Sequence, residues 1–113
     1  MYQNRYSIVN RNVFARYDAP TYFLTYAETA FLEAEAAVRG RTTEDPAALY
    51  ESGVTAAMQI AKIASLEGSF PAATVPGISD AAINTYPAAN PYNPGDALNP
   101  LNTQYWLNTY MDE

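Results

Sequence analysis

The sequence predicts an all-α protein whose centre is an antiparallel helical hairpin. Two long segments carry apolar residues at helical spacing, each has start and stop residues typical of a helix, and only a short turn separates them. Small residues dominate the inner faces of the two helices, as in the hairpin unit of tetratricopeptide-like repeats. Such a hairpin does not bury its outer face alone and ordinarily stacks on further hairpins.

The first helix is predicted over Thr21–Arg39, after an extended lead-in at residues 1–20 that ends with Pro20. Gly40 is a typical helix stop. Glu35 precedes Arg39 by four residues, an order that favours an ion pair on the helix surface. The apolar stripe consists of residues spaced by three or four positions: Leu24, Ala27, Ala30, Phe31, Ala34 and Val38.

The second helix is predicted over Pro46–Glu67, so that residues 21–67 make up the hairpin. Asp45 is the expected N-cap, and Pro46 suits the first helical position because its missing N–H costs nothing there. Gly53 lies on the inner face, where a neighbouring backbone could come close. The apolar stripe of this helix is Tyr50, Val54, Ala57, Ala61 and Ala64.

The sequence changes in character after Gly68. Residues 68–99 are predicted to be a loop with one short helix in "ISDAAINTY", capped by Ser79. The stretch "PAANPYNPGDALN" is rich in Pro and Asn, and long loops inside compact domains are usually functional or disordered. A final helix is predicted in residues 100–113, running from Pro100 to about Met111, with Asn99 as its N-cap.

Charge and composition exclude several classes of function. Met1–Arg41 sums to +1, from five basic and four acidic residues, and Thr42–Glu113 sums to −7, from one basic and eight acidic residues. Proteins that bind phosphate backbones need clustered Lys and Arg, so we expect no nucleic-acid partner. The chain has no His and no Cys, which excludes imidazole bases, thiol nucleophiles, and zinc or haem sites built from those ligands.

Carboxylates are the remaining candidates for catalysis and metal binding. A glycosidase-like pair could be sought in Glu28 with Glu35 or in Asp80 with Asp96, but neither pair forms a motif. Asn93 and Asp96 offer oxygen ligands of the kind that calcium takes, yet their spacing does not match an EF-hand loop, and both residue types are common turn formers. We therefore expect no catalytic residue, no metal and no cofactor.

Four motifs in order give the chain a resemblance to a known family. They are "YSIVNRN", "APTYFLTYAETAFLEAEAAVRG", "ALYESGVTAAM" and "TQYWLNTY", and together they span roughly Ser7 to Tyr110. This combination resembles the carboxyl-terminal half of the SusD/RagB family, in its SusD-like branch. The resemblance implies part of an α-helical outer-membrane lipoprotein at the cell surface, which captures oligosaccharides and delivers them to a SusC-type TonB-dependent porin.

The same resemblance leads us to expect a fragment of a single SusD-like domain. Family members are several times longer and begin with a lipobox cysteine, so the remaining segments of the parent chain would be packing partners. Leu, Ile, Val and Phe together make up under a fifth of the residues, which also indicates a thin core for a free-standing unit. The alternative from a different class is a helical-repeat module that binds another protein.

Sugar binding requires flat aromatic faces and hydrogen-bonding side chains. Tyr86, Asn90, Tyr92 and Asn93 lie in the proline-rich part of the chain and are the candidate ligand-binding residues. Tyr22, Tyr26 and Tyr50 have helical spacing and are expected in the core. An exposed apolar patch is expected to involve Tyr50, Met58, Leu107 or Tyr110.

The resemblance further implies structural roles for residues of the family motifs. Glu28 is expected to reach a polar group on a neighbouring hairpin, and Trp106 is expected to pack against the hairpins. The full set of structural-motif residues is Tyr26, Glu28, Phe31, Gly53, Gln104 and Trp106.

Overall fold

The computed structural model describes residues 21–67 and 77–110, and no strand occurs within these two ranges. In chain order the helices are α1 (Tyr26–Val38), α2 (Pro46–Glu67), α3 (Asp80–Ala89), a short 3₁₀ helix (Pro94–Asp96) and α4 (Leu98–Thr109). The predicted all-α fold class is confirmed. The predicted lead-in at residues 1–20 lies outside the described residues.

Helix α1 begins later than the sequence pattern predicts. Thr25 is its N-cap: the backbone there is extended, and the side-chain oxygen accepts a hydrogen bond from the Glu28 N–H at 3.2 Å. The cap fixes the start at Tyr26 instead of Thr21, so Leu24 precedes the helix and is exposed instead of widening the apolar stripe. Pro20 alone does not set the boundary, because a side chain that satisfies an orphan N–H decides where the first turn forms.

The end of α1 is a two-bond Schellman motif. The Arg41 N–H donates to the Ala36 carbonyl at 2.8 Å and the Gly40 N–H donates to the Ala37 carbonyl at 3.0 Å. Gly40 has a positive φ of 67°, a conformation that only glycine adopts without steric cost. The predicted stop at Gly40 is confirmed, and it reverses the chain toward α2.

Helix α2 has the predicted bounds, Pro46–Glu67. The Asp45 carboxylate accepts a hydrogen bond from the Ala47 N–H at 3.0 Å, as its predicted role of N-cap requires. The Ser79 hydroxyl caps α3 in the same way by accepting from the Ala82 N–H at 3.1 Å. Helix α3 then continues through Pro87 to Ala89, so it includes residues that the proline content assigned to the loop.

Helix α4 begins at Leu98, two residues before the predicted start at Pro100. Asn99 is not its N-cap: the Asn99 side chain donates to the Asp96 carboxylate at 3.1 Å, and Ala97 precedes the helix without a side-chain cap. Pro100 still lies in the first turn, where backbone N–H groups have no acceptor within the helix and a missing one costs little. The helix ends at Thr109.

The core lies where α1, α2 and α4 meet. Helix α1 packs along α2 and against α4, and α3 packs on α2. Of the predicted inner-face alanines of α2, Ala57 packs at the edge of the core and Ala61 is half-buried. The buried cluster comprises Ala27, Phe31, Ala34, Tyr50, Val54 and Leu101. Two of its six members are alanine, so the helices approach closely there and few large side chains supply the apolar burial.

An ion pair and a buried side chain hold α3 to the hairpin. The Lys62 ammonium lies 2.6 Å from the Asp80 carboxylate at the start of α3, and Ile83 of α3 is buried. Helix α3 therefore leads the chain back over α2 and brings the proline-rich segment that follows it against the hairpin.

Candidate functional site

The four candidate ligand-binding residues lie together at the end of α3 and just beyond it. Tyr86 is in the last turn of α3, Asn90 is the C-cap, Tyr92 follows without regular secondary structure, and Asn93 precedes the 3₁₀ helix. Tyr86, Asn90 and Tyr92 are half-buried and Asn93 is exposed. We use the name tyrosine cluster for five residues: Tyr50, Tyr86, Asn90, Tyr92 and Gln104.

Tyr50 of α2 is at the centre of the cluster and is only 2% exposed. Its hydroxyl donates to the Asn90 main-chain carbonyl at 3.0 Å, and its ring centre lies 5.9 Å from that of Tyr92 in a tilted arrangement. The same ring also packs near Phe31 in the core, with ring centres 6.4 Å apart. Tyr50 therefore connects the hydrophobic core to the surface segment that carries the candidate ligand-binding residues.

Burial and a neighbouring phenol keep the Tyr50 hydroxyl protonated. Loss of solvent raises the pKa of Tyr50 above its ordinary value of 10.0, the adjacent Tyr86 raises the pKa further, and the Gln104 amide partly offsets both. The hydroxyl therefore remains a hydrogen-bond donor to Asn90 throughout the physiological pH range.

Gln104 of α4 holds the opposite side of the cluster. Its side-chain amide donates to the Tyr86 hydroxyl at 3.3 Å, while the Asn90 amide donates to the Tyr86 main-chain carbonyl at 3.1 Å. The Tyr86 hydroxyl keeps its own proton for donation, because a phenol is donor and acceptor at once. The tyrosine cluster thus joins α2, α3 and α4. At the surface it presents the half-exposed rings of Tyr86 and Tyr92 beside the Asn90 amide.

Asn93 has a structural role in the turn. Its side-chain oxygen accepts from the Gly95 N–H at 3.0 Å, and its main-chain carbonyl accepts from the Asp96 N–H at 3.1 Å. Among residues 21–67 and 77–110, no group of three or more His, Cys, Asp or Glu side chains could hold a metal ion. The chemistry that this surface supports is ring stacking and neutral hydrogen bonding.

A protein-family model matches nearly the whole chain. The SusD-like_2 family model, described as starch-binding and associating with the outer membrane, matches residues 2–113. The chain belongs to the SusD-like_2 family. No curated protein and no solved structure matches it significantly. None of the described helices is long and apolar enough to cross a membrane.

Glu28 of this SusD-like_2 chain reaches a polar group on α4, whereas the motif led us to expect a partner on a neighbouring hairpin. The Tyr105 hydroxyl donates to the Glu28 carboxylate at 3.2 Å, so the partner lies on α4. Burial and this bond to a carboxylate both raise the pKa of Tyr105. Tyr105 was not among the predicted residues, although its spacing of four from Leu101 places both on the face of α4 that packs on the hairpin.

Gly53 provides space for an aromatic ring, not for the neighbouring backbone that the sequence led us to expect. A Cβ atom at Gly53 would lie 2.7 Å from Cε1 and 2.9 Å from Cδ1 of Phe31. Real Cβ atoms are essentially never found so close to another heavy atom. The contact between Phe31 and Gly53 therefore limits how closely α1 and α2 approach each other.

Two residues of the family motifs lie on the surface instead of in the core. Tyr26 is 66% exposed, in the first turn of α1. Trp106 is 59% exposed, and its ring contacts that of Tyr110 with the centres 5.0 Å apart. The prediction that Trp106 packs against the hairpin is wrong within the described residues, because Leu101 and Tyr105 occupy that face of α4.

The predicted apolar patch is found in part. Leu107 and Tyr110 are exposed beside Trp106, and we call these three residues the α4 apolar face. Tyr50 was also expected in the patch, but it is buried in the core, where the Asn90 carbonyl satisfies its hydroxyl. Met58 is half-buried against the core.

Proposed function

We propose that this chain contributes to the binding of starch-like oligosaccharides at the outer membrane, as a binding protein without catalytic activity. The observation that carries the proposal is the match of a starch-binding family model to residues 2–113. The absence of His and Cys from the sequence removes imidazole bases and thiol nucleophiles and agrees with this assignment.

The ligand site lies at Tyr86, Asn90, Tyr92 and Asn93. This segment combines half-exposed aromatic rings with amide side chains, the groups that contact the faces and hydroxyls of sugar rings. Two of its residues contact groups from α2 and α4, which keeps the rings in a defined orientation. A rigid platform binds more tightly than a mobile one, because less conformational entropy is lost on binding.

Calorimetric titration of the full-length protein with maltoheptaose tests the proposal, with a β-linked glucan as the negative control. Tyr92→Leu keeps an apolar side chain against Tyr50 but removes the aromatic face, and it should weaken maltoheptaose binding by about 2- to 10-fold. Tyr26→Leu makes the same change at an exposed position of α1 and should leave the affinity unaltered. Equal affinities for wild type and Tyr92→Leu would contradict the placement of the site.

In this proposal the protein is a cell-surface lipoprotein that passes its ligand to a SusC-type TonB-dependent porin. The family description supports outer-membrane association, and the resemblance of the motifs supports the porin partner and the lipid anchor. Affinity purification of the tagged protein from detergent-solubilised outer membranes should recover a TonB-dependent porin. Protease treatment of intact cells should remove the protein, and fatty-acid labelling should detect the anchor.

A helical-repeat protein interaction module is the second candidate. The α4 apolar face favours it, because exposed aromatic and aliphatic side chains in contact with one another are typical of protein-binding surfaces. Trp106→Ala separates the two candidates. If the protein binds glycan, the substitution leaves the affinity for maltoheptaose intact. If it is a helical-repeat interaction module, the substitution abolishes capture of a protein partner. Capture of a protein partner by the wild-type protein, without binding of glycan, would favour the helical-repeat interaction module.

A further inference from the structure

The segment 90–93 has little regular structure of its own to hold it. Asn90 ends α3, and Pro91 has no N–H to donate. The hydrogen bonds of the Asn90 N–H and side chain return to α3 itself, at Tyr86 and Pro87. Among the described residues, the Tyr50 hydroxyl makes the hydrogen bond that ties this segment to the hairpin, across 40 positions of sequence.

The Tyr50 hydroxyl is not required for core packing. Its ring fills the core beside Phe31 and Val54, and a phenylalanine ring would fill the same volume. The oxygen atom carries the hydrogen bond to the Asn90 carbonyl, which would otherwise lose its partner beside the half-buried Tyr92. Gln104 has the corresponding role for Tyr86, since its amide reaches the Tyr86 hydroxyl from α4.

We propose that Tyr50 and Gln104 are positioning residues for the ligand site: the hydroxyl of one and the amide of the other fix the orientation of the Tyr86 and Tyr92 rings without contacting the ligand. The inference rests on the proposed glycan-binding function. It assigns a role in affinity to a side chain that is 2% exposed and therefore out of reach of any oligosaccharide.

The test uses substitutions that remove single polar groups and conserve volume. Tyr50→Phe deletes one oxygen atom, and Gln104→Met removes the amide from a chain of similar length. Tyr105→Phe is the matched control: it also deletes a tyrosine hydroxyl with a hydrogen bond, to Glu28, but that bond joins α1 to α4 and does not involve residues 86–93. Each variant is titrated with maltoheptaose in the full-length protein, and the affinity is expressed per folded molecule.

We expect Tyr50→Phe and Gln104→Met each to weaken maltoheptaose binding by about 2- to 10-fold, the range that follows from the net free energy of one hydrogen bond. Tyr105→Phe should bind as wild type does, whatever its effect on thermal stability. The positioning role is overturned if Tyr50→Phe binds like wild type, or if Tyr105→Phe weakens binding equally, since the loss would then follow stability alone.

A second measurement needs no ligand. Hydrogen exchange measured by mass spectrometry on peptides covering residues 88–97 should be faster in Tyr50→Phe than in wild type and unchanged in Tyr105→Phe. If wild type fails to bind maltoheptaose, the proposed function fails, but faster exchange in Tyr50→Phe still supports the positioning role. Unchanged exchange in Tyr50→Phe refutes that role whether or not the protein binds glycan.

Discussion

Substitution of Gly53 by alanine should destabilise the hairpin, although the same change at an open helical position would stabilise it. Alanine is favoured over glycine inside a helix by about 0.8 to 1 kcal/mol. The added Cβ would lie 2.7 Å from Cε1 of Phe31, whose ring is 2% exposed and enclosed by the core. Overpacking of this kind costs about 1 to 3 kcal/mol. Subtracting the gain in helix propensity from the cost of overpacking predicts that Gly53→Ala lowers the free energy of unfolding by about 1 kcal/mol, and by about 2 kcal/mol at most.

Urea unfolding followed by far-ultraviolet circular dichroism measures this change. Ser52→Ala is the matched control, because Ser52 is the neighbouring residue on α2 and is exposed; its substitution should be neutral or slightly stabilising. The double variant Gly53→Ala with Phe31→Leu removes the ring atoms that meet the new methyl group. Its loss of stability should be smaller than the sum of the two single losses by about 1 kcal/mol or more.

Two results would refute this reasoning. A Gly53→Ala variant that is more stable than wild type by about 1 kcal/mol would mean that the Phe31 ring has room to move. Additive losses in the double variant would mean that the two residues are not coupled, and the spacing of α1 and α2 would then need another explanation.

Three further predictions concern stability and exposure. Trp106→Ala should lower the free energy of unfolding by less than about 2 kcal/mol, below the roughly 3 to 5 kcal/mol typical of a core aromatic residue. The fluorescence of this single Trp should be readily quenched by acrylamide. Strong protection from quenching would show that another segment or a partner covers the indole. Ser79→Ala should cost about 1 kcal/mol through loss of the α3 cap, against no loss for the non-capping control Ser52→Ala, and equal effects at the two positions would contradict the capping role. The raised pKa of Tyr50 means that the folded state holds this proton more tightly than the unfolded chain, so its stabilising contribution is complete below about pH 10 and is lost as the pH rises through the folded pKa. Tyr50→Phe should therefore make the alkaline fall in stability shallower, and an identical pH profile would show that Tyr50 does not contribute to it.

Local signals in the sequence predicted several helix boundaries and one ion pair correctly. Asp45 with Pro46 gave the start of α2, Gly40 gave the end of α1, and the Glu35–Arg39 pair forms at 2.7 Å as its spacing predicts. Each of these signals acts between residues no more than five apart, so the neighbouring sequence contains the necessary information.

The errors at the helix starts have a common cause. Thr25 and Asn99 are both able to cap, but Thr25 does so and Asn99 bonds to Asp96 instead. The sequence shows which side chains are able to cap a helix. Whether such a side chain bonds to the helix N–H or to another group depends on the path of the chain before the helix. The start of α1 then leaves Leu24 before the helix and exposed, contrary to its helical spacing.

The sequence by itself determined the helical class, the hairpin, the family and the candidate ligand segment of this SusD-like_2 chain, because periodicity, caps and motifs are local properties. Only the tertiary structure decided which tyrosine enters the core, which face of α4 remains exposed, and that Tyr50 and Gln104 meet the segment beyond α3. These outcomes depend on contacts between residues 18 to 77 positions apart. Such contacts form only when helices of fixed length and spacing are packed against one another, and no local pattern records which of several similar side chains will meet.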